Sequence, residues 1–179
     1  MKHDKIILLV GRSGSGKSTV ADILSRQYGR SILPSYTTRP KRFEREEGHI
    51  FVNNMFYEKV SRSRDIVAYT YFDKNHYWAT AQQVNENDIY IIDPDGVAFF
   101  RSHYWGPKQV VVIWLDCIWL VALLRMEKQG RSRDEIDRRI ANDNAVFFDP
   151  ATVGPNVIIH TENHSPEEIA KEIEGVLET

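Results

Sequence analysis

One cysteine, Cys117, stands in 179 residues, so no disulfide can close within the chain and the fold must rest on packing. That usage fits a reducing, cytoplasmic setting. Long apolar runs are missing as well. The longest, Val110 to Leu115, ends at Asp116, well short of the roughly 18 residues of a membrane span. The opening MKHDKIILLV carries too short an apolar run for a signal peptide. Excess charge of either sign is absent: 23 Lys and Arg against 25 Asp and Glu leave a formal net charge of -2. A global attraction to nucleic acid or to anionic membrane is thereby excluded, and any basic site must be local. There is no repeat, low-complexity tract or linker. What remains is a chain with 42% hydrophobic residues, enough for one core and one domain, residues 1–179.

The strongest feature present is Gly11 to Ser18, GRSGSGKS, continuing with Thr19. It fits G-x-x-x-x-G-K-[ST] at every fixed position, and its flanks fit too. Lys5 to Val10 reads as a buried parallel strand, and Ser18 to Tyr28 as a helix with Val20, Ile23 and Leu24 on neighbouring faces. Gly11, Gly14 and Gly16 permit a backbone whose N–H groups converge on a phosphate, at the positive end of the helix that follows. Ser13, Gly14, Ser15, Gly16, Lys17, Ser18 and Thr19 are therefore the expected ATP-binding residues. Lys17 supplies a mobile charge for the β- and γ-phosphates, and the Ser18 hydroxyl a ligand for Mg²⁺.

Ser35 to Phe51, SYTTRPKRFEREEGHIF, holds Arg39, Lys41, Arg42 and Arg45 within seven residues. A solvated basic loop and a short RNA-binding arm are both readings of such a run. Its place after the second strand of a phosphate-loop protein favours a second phosphate site, since guanidinium forks match phosphate oxygens. Asn53 reads as the cap of helix 54–60, Ile66 to Tyr71 as a strand, Asp73 to Asn75 as a turn, and Thr80 as the cap of a helix to Glu86. Ile89 to Ile92 reads as a buried strand ending at Asp93, a carboxylate placed to serve a metal or substrate, or to cap the next helix. Asp116 is expected to cap the helix carrying Leu120, Leu124 and Met126, with Cys117 packed at its start. Ser132 and Glu135 have capping-box spacing, as do Ser165 and Glu168. Arg125, Arg131, Arg133 and Arg139 flank Gly130 and suggest a closing lid. His160 and His164 fall in a turn and make a poor metal pair. Trp105, Trp114 and Trp119 read as core.

These residues, taken in order, resemble guanylate kinases of the nucleoside monophosphate kinase group: GRSGSGKST, SYTTRPKR, Gly48 with an aromatic strand, NHYWAT, IIDPDGV, then the arginine-bearing lid. The resemblance covers nearly the whole chain. It implies an α/β P-loop three-layer fold: a parallel central sheet (core 1–34, 80–125 and 145–179), a small antiparallel NMP-binding insert (35–79) and a helical lid (126–144). It further implies transfer of the γ-phosphate of ATP to GMP or dGMP with Mg²⁺. By position, Ser35, Arg39, Arg42, His49, Tyr77, Thr80 and Asp93 would bind the acceptor, and Ser18 and Asp93 the metal. Lys17, Arg39, Arg125, Arg131, Arg133 and Arg139 would be catalytic. The partners implied are ATP and a nucleoside monophosphate, with neither nucleic acid nor membrane, for a monomer or homodimer.

The chain also departs from the family. Ala68 stands where the Glu that reads the guanine edge is usual, Ala79 where a small hydroxyl residue is usual, and Gln129 at one lid arginine position. Arg45, between Glu44 and Glu46, replaces a Glu. A kinase of another small phosphorylated acceptor is thus a second reading. A non-catalytic interaction domain is a third, opposed by the intact Gly16, Lys17 and Ser18.

Overall fold

The computed structural model describes residues 3–147 and 149–178. The elements up to the first long helix after the insert are β1 (Lys5–Val10), α1 (Lys17–Tyr28), β2 (Ser35–Thr37), β3 (His49–Phe51), α2 (Asn54–Val60), β4 (Ile66–Phe72), β5 (Asn75–Thr80), α3 (Ala81–Glu86), β6 (Ile89–Ile91) and α4 (Pro94–His103). There follow β7 (Gln109–Asp116), α5 (Trp119–Lys128), α6 (Arg133–Val146), α7 (Pro150–Val153), β8 (Val157–His160) and α8 (Pro166–Leu177).

The main sheet runs β6-β1-β7-β8, all parallel. A strand buried on both faces needs an apolar residue at every position, and β1 and β7 have one at nearly every position. Ile6, Leu8 and Val10 face a core shared with Val97 and Phe100 of α4 and with Trp114, while Ile7 and Leu9 face Val20 and Leu24 of α1 and Ile173 of α8. Helices thus cover both faces, which makes three layers. Each fully buried aliphatic side chain contributes roughly 1.5–3 kcal/mol. Before β2 the chain makes a single parallel bridge to the main sheet, Ile32 to Ile89, which Pro34, having no N–H, does not extend.

A second sheet, ordered β3-β2-β5-β4, is antiparallel apart from the parallel β2–β3 pair. Its β4–β5 hairpin turns on Asp73 and Lys74, both at positive φ (46 and 62), as the right-handed twist of the strands demands. Val67, Ala68 and Ala79 join the core on the α4 side, so this sheet is seated on the first.

Several helix starts follow the sequence reading. Asn53 accepts from Phe56 N, and full capping boxes close at Thr80/Gln83 and Ser165/Glu168. Others differ. Asp116 is not the cap of α5: Cys117 and Ile118 separate it from that helix, whose N-cap Ile118 offers no side-chain bond, and its carboxylate faces His160 at 3.2 Å. Ser132 accepts from Glu135 N, but the Glu135 carboxylate turns instead to Arg131 and Arg139, leaving the box half closed. Trp114 is core at 3% exposure, whereas Trp105 (87%) and Trp119 (66%) are exposed. Trp105 follows the end of α4 and Trp119 opens α5, where neither sheet covers them.

Candidate functional site

The loop between β1 and α1 takes a shape that glycine adopts easily. Gly14 has φ 77, and a Cβ on it would lie 2.5 Å from the Ala122 carbonyl oxygen; Gly16, at φ 98, is the N-cap of α1. Among the described residues no side chain caps α1, and no acidic residue stands in its first turn. The first N–H groups of the helix are therefore left as a seat for an anion. Lys17 Nζ donates to the Gly11 and Arg12 carbonyl oxygens at 2.6 and 2.9 Å. Burial lowers its pKa to about 8, with Asp143 pulling the other way. Ser18 and Thr19 are exposed on the first turn, and Ser15 is buried with its hydroxyl unpartnered among the described residues.

Beside this loop lies a cavity of ≈ 270 Å³ where three parts of the chain meet. The phosphate loop contributes Gly11, Ser13 and Lys17; the second sheet and its loop contribute Ser35, Arg39, Arg42, His49, Thr70 and Tyr77; α6 contributes Arg139, Asn142 and Asp143. Asp93, at the end of β6, lines it as well.

Several of these side chains are held in place. Ser35 Oγ lies 2.9 Å from His49 Nδ1; burial, then the nearby Arg39 charge, lowers the His49 pKa and favours the neutral ring. Arg39 is gripped by Glu46 through two bonds of 3.1 and 2.8 Å, and Arg42 N donates to the same carboxylate at 2.7 Å. The hydrogen bonds from Arg39 hold the Glu46 pKa down to about 2. Arg42 itself stays half exposed, its guanidinium 3.8 Å from Glu46. Asp93 Oδ1 accepts from Gly96 N at 2.7 Å and Thr70 Oγ1 at 2.8 Å, so it caps α4 while lining the cavity. Burial raises its pKa.

Other residues singled out in the sequence stand elsewhere. Arg125 donates to Thr161 O at 2.8 Å and Thr161 Oγ1 at 3.1 Å and reaches the Gly14 carbonyl oxygen at 3.4 Å, so it braces the back of the phosphate loop. Arg131 pairs with Glu135 at 3.0 Å. Arg133 points to the surface, against Glu127 and Asp137. Thr80 is occupied in its capping box. Ala68 is fully buried in the core and does not line the cavity; Thr70, two residues on along the same face of β4, does.

Two residues that sequence reasoning passed over are prominent. Glu46, rather than Glu44, is the buried partner of Arg39, because the turn closed by Glu46 N to Phe43 O at 3.1 Å brings it back under the arginine. Asp143 is 6% exposed, and its carboxylate accepts from Ser13 N at 2.7 Å. Its place four residues after Arg139 and four before Phe147 put it on their helix face, and that spacing was a usable signal.

Oxygen donors of the kind a hard cation such as Mg²⁺ takes, one or two from protein together with phosphate and water, stand in two neighbouring cavities, Asp93 in one and Ser18 in the other. Ser18 offers an exposed hydroxyl on the first turn, and Asp93 a carboxylate in the same cavity as Lys17.

The family model described as an AAA domain matches residues 7–146. No curated protein matches the chain by sequence. Among solved structures, the chain is similar to guanylate kinase from Anaplasma phagocytophilum, with TM-score 0.64 and 19% identity over 99% of this chain and 86% of that one. It is also similar to an uncharacterized protein from Eubacterium ventriosum, with TM-score 0.53 and 12% identity over 98% and 99%. At these identities the likeness is one of fold.

Proposed function

The chain belongs to the AAA domain family, and on that premise we propose that it is an ATP-dependent kinase of nucleoside monophosphates, with GMP or dGMP as acceptor. The observation that carries the reading is the shared cavity, in which Lys17 and the phosphate loop face Ser35, Arg39, Arg42 and Tyr77 beneath Arg139 of α6. Two phosphate-binding sets that meet in one space are what transfer between two phosphorylated substrates requires.

The work of the protein is positioning and charge neutralisation. The free amides at the start of α1 and the loop backbone hold the donor phosphates, and Lys17 swings from its carbonyl partners to the outer ones. Arg39, pre-aligned by Glu46, and Arg42 fix the acceptor phosphate, with Ser35 and Tyr77 completing its seat. Arg139 covers the transferring group from the helical lid formed by α6. Ser18 and Asp93 would be the residues to hold Mg²⁺, which would supply further charge neutralisation at the donor phosphates.

Ala68 offers no carboxylate to a guanine edge and is buried in the core. The buried Ala68, with Thr70 and Asp93 as the polar groups nearby, favours as second reading a kinase of another monophosphate or small phosphorylated acceptor. ADP release coupled to a spectroscopic readout, with GMP, dGMP, AMP, CMP, UMP and dTMP in turn, tests both. Turnover is expected with at least one, strongest with GMP or dGMP, and Lys17→Ala should lower it at least 10²-fold while leaving the fold intact. No turnover with any of the six would overturn the proposal.

A further inference from the structure

The end of α6 is fastened to the phosphate loop. The Asp143 carboxylate accepts from Ser13 N at 2.7 Å and lies 3.4 Å from Ser13 Oγ. One residue on, Asn144 Oδ1 accepts from Arg12 at 2.9 Å, and the Phe147 carbonyl oxygen accepts from the same guanidinium. A loop whose N–H groups converge on an anion has here given one of them to a carboxylate of the protein itself.

Which phosphate that carboxylate would meet follows from direction. The free amides at the start of α1 lie at one end of the loop and suit the inner phosphates of a donor. Ser13 lies toward the other end and, with Lys17 and Asp143, lines the cavity that also holds Arg39 and Asp93. The part of the donor that faces the acceptor is its terminal phosphate. A carboxylate and a phosphate cannot share one N–H in a half-buried site without strong repulsion.

We propose that Asp143 occupies the seat of the donor's terminal phosphate at Ser13 N, so that a triphosphate, but not a diphosphate, displaces it and releases the end of α6 from the loop. The proposal rests on the donor half of the kinase reading and not on the identity of the acceptor. It makes α6 responsive to the charge at the end of the nucleotide. Its contacts with the loop and the binding of a terminal phosphate exclude each other.

Calorimetric titration of the full chain with ATP and with ADP, without acceptor, tests it. Asp143→Asn keeps the shape and the ability to accept from Ser13 N but removes the charge. It should bind ATP about tenfold tighter while its ADP affinity moves less than twofold. An equal shift for both nucleotides, or weaker ATP binding, would overturn the proposal while leaving the kinase reading in place. Unaltered protein that binds neither nucleotide would sink both. Hydrogen exchange on the unaltered chain gives a readout independent of the variant's folding. ATP should increase exchange across 143–147 where ADP does not, and identical exchange with the two nucleotides would count against displacement.

Discussion

Glu46 shows how one side chain organises an arginine that lines the candidate site. Its carboxylate takes both arms of Arg39 and the backbone of Arg42, and both members of the ion pair are largely buried, at 12% and 8% exposure. Removing one partner of such a pair leaves the other charge without compensation. Glu46→Gln should therefore destabilise the protein by about 3 kcal/mol at neutral pH, read by denaturant unfolding, and raise the acceptor KM more than it lowers kcat. The sign of the acid dependence follows from the same contact. A carboxylate held near 2 against an ordinary 4.5 contributes stability that is present above the ordinary value and lost as the pH falls toward the folded one. Unfolding curves taken between those two values should fall for the native chain and lie flatter for Glu46→Gln; equal slopes would contradict the assignment.

Elements were legible where their signals were local. The run Lys5–Val10, the glycine loop and the helix after it follow from residue periodicity and from backbone that glycine permits. Capping by Asn53, Thr80 and Ser165 was readable because the bonded residues lie three apart. Asp116 misled because a carboxylate at a strand end looks the same whether the next helix starts at once or two residues later. The β4–β5 hairpin leaves a local cost that can be measured. Lys74 sits at φ 62, a region that disfavours side chains bearing a Cβ. Lys74→Gly should stabilise the chain by about 1 kcal/mol, a rise in Tm of roughly 2–4 °C, with turnover unchanged. A lower Tm would show that the turn gains something from the lysine that its backbone does not reveal.

At the scale of the whole molecule, the cavity exists because α6 packs across the phosphate loop while the second sheet is seated on the core. Of the arginines around Gly130, that packing turns Arg139 to the cavity and Arg133 to the surface. Arg139→Ala should cost about 10²-fold in kcat, and less than 0.5 kcal/mol in stability, because its pair with Glu135 is a helix-surface one. Arg133→Ala should alter neither by more than about twofold or a few tenths of a kcal/mol. Comparing kcat with Tm for the two variants checks both, and equal losses of kcat would remove the distinction. The sequence by itself determined the strand, glycine loop and helix of the phosphate-loop pattern, and the basic segment that follows them, because φ preference and apolar period act between near neighbours. Tertiary structure alone decided that Glu46 serves Arg39, that Thr70 and not Ala68 faces the cavity, and that Asp143 meets Ser13 across 130 residues of chain. Those outcomes depend on how distant surfaces pack, and no local pattern carries that information.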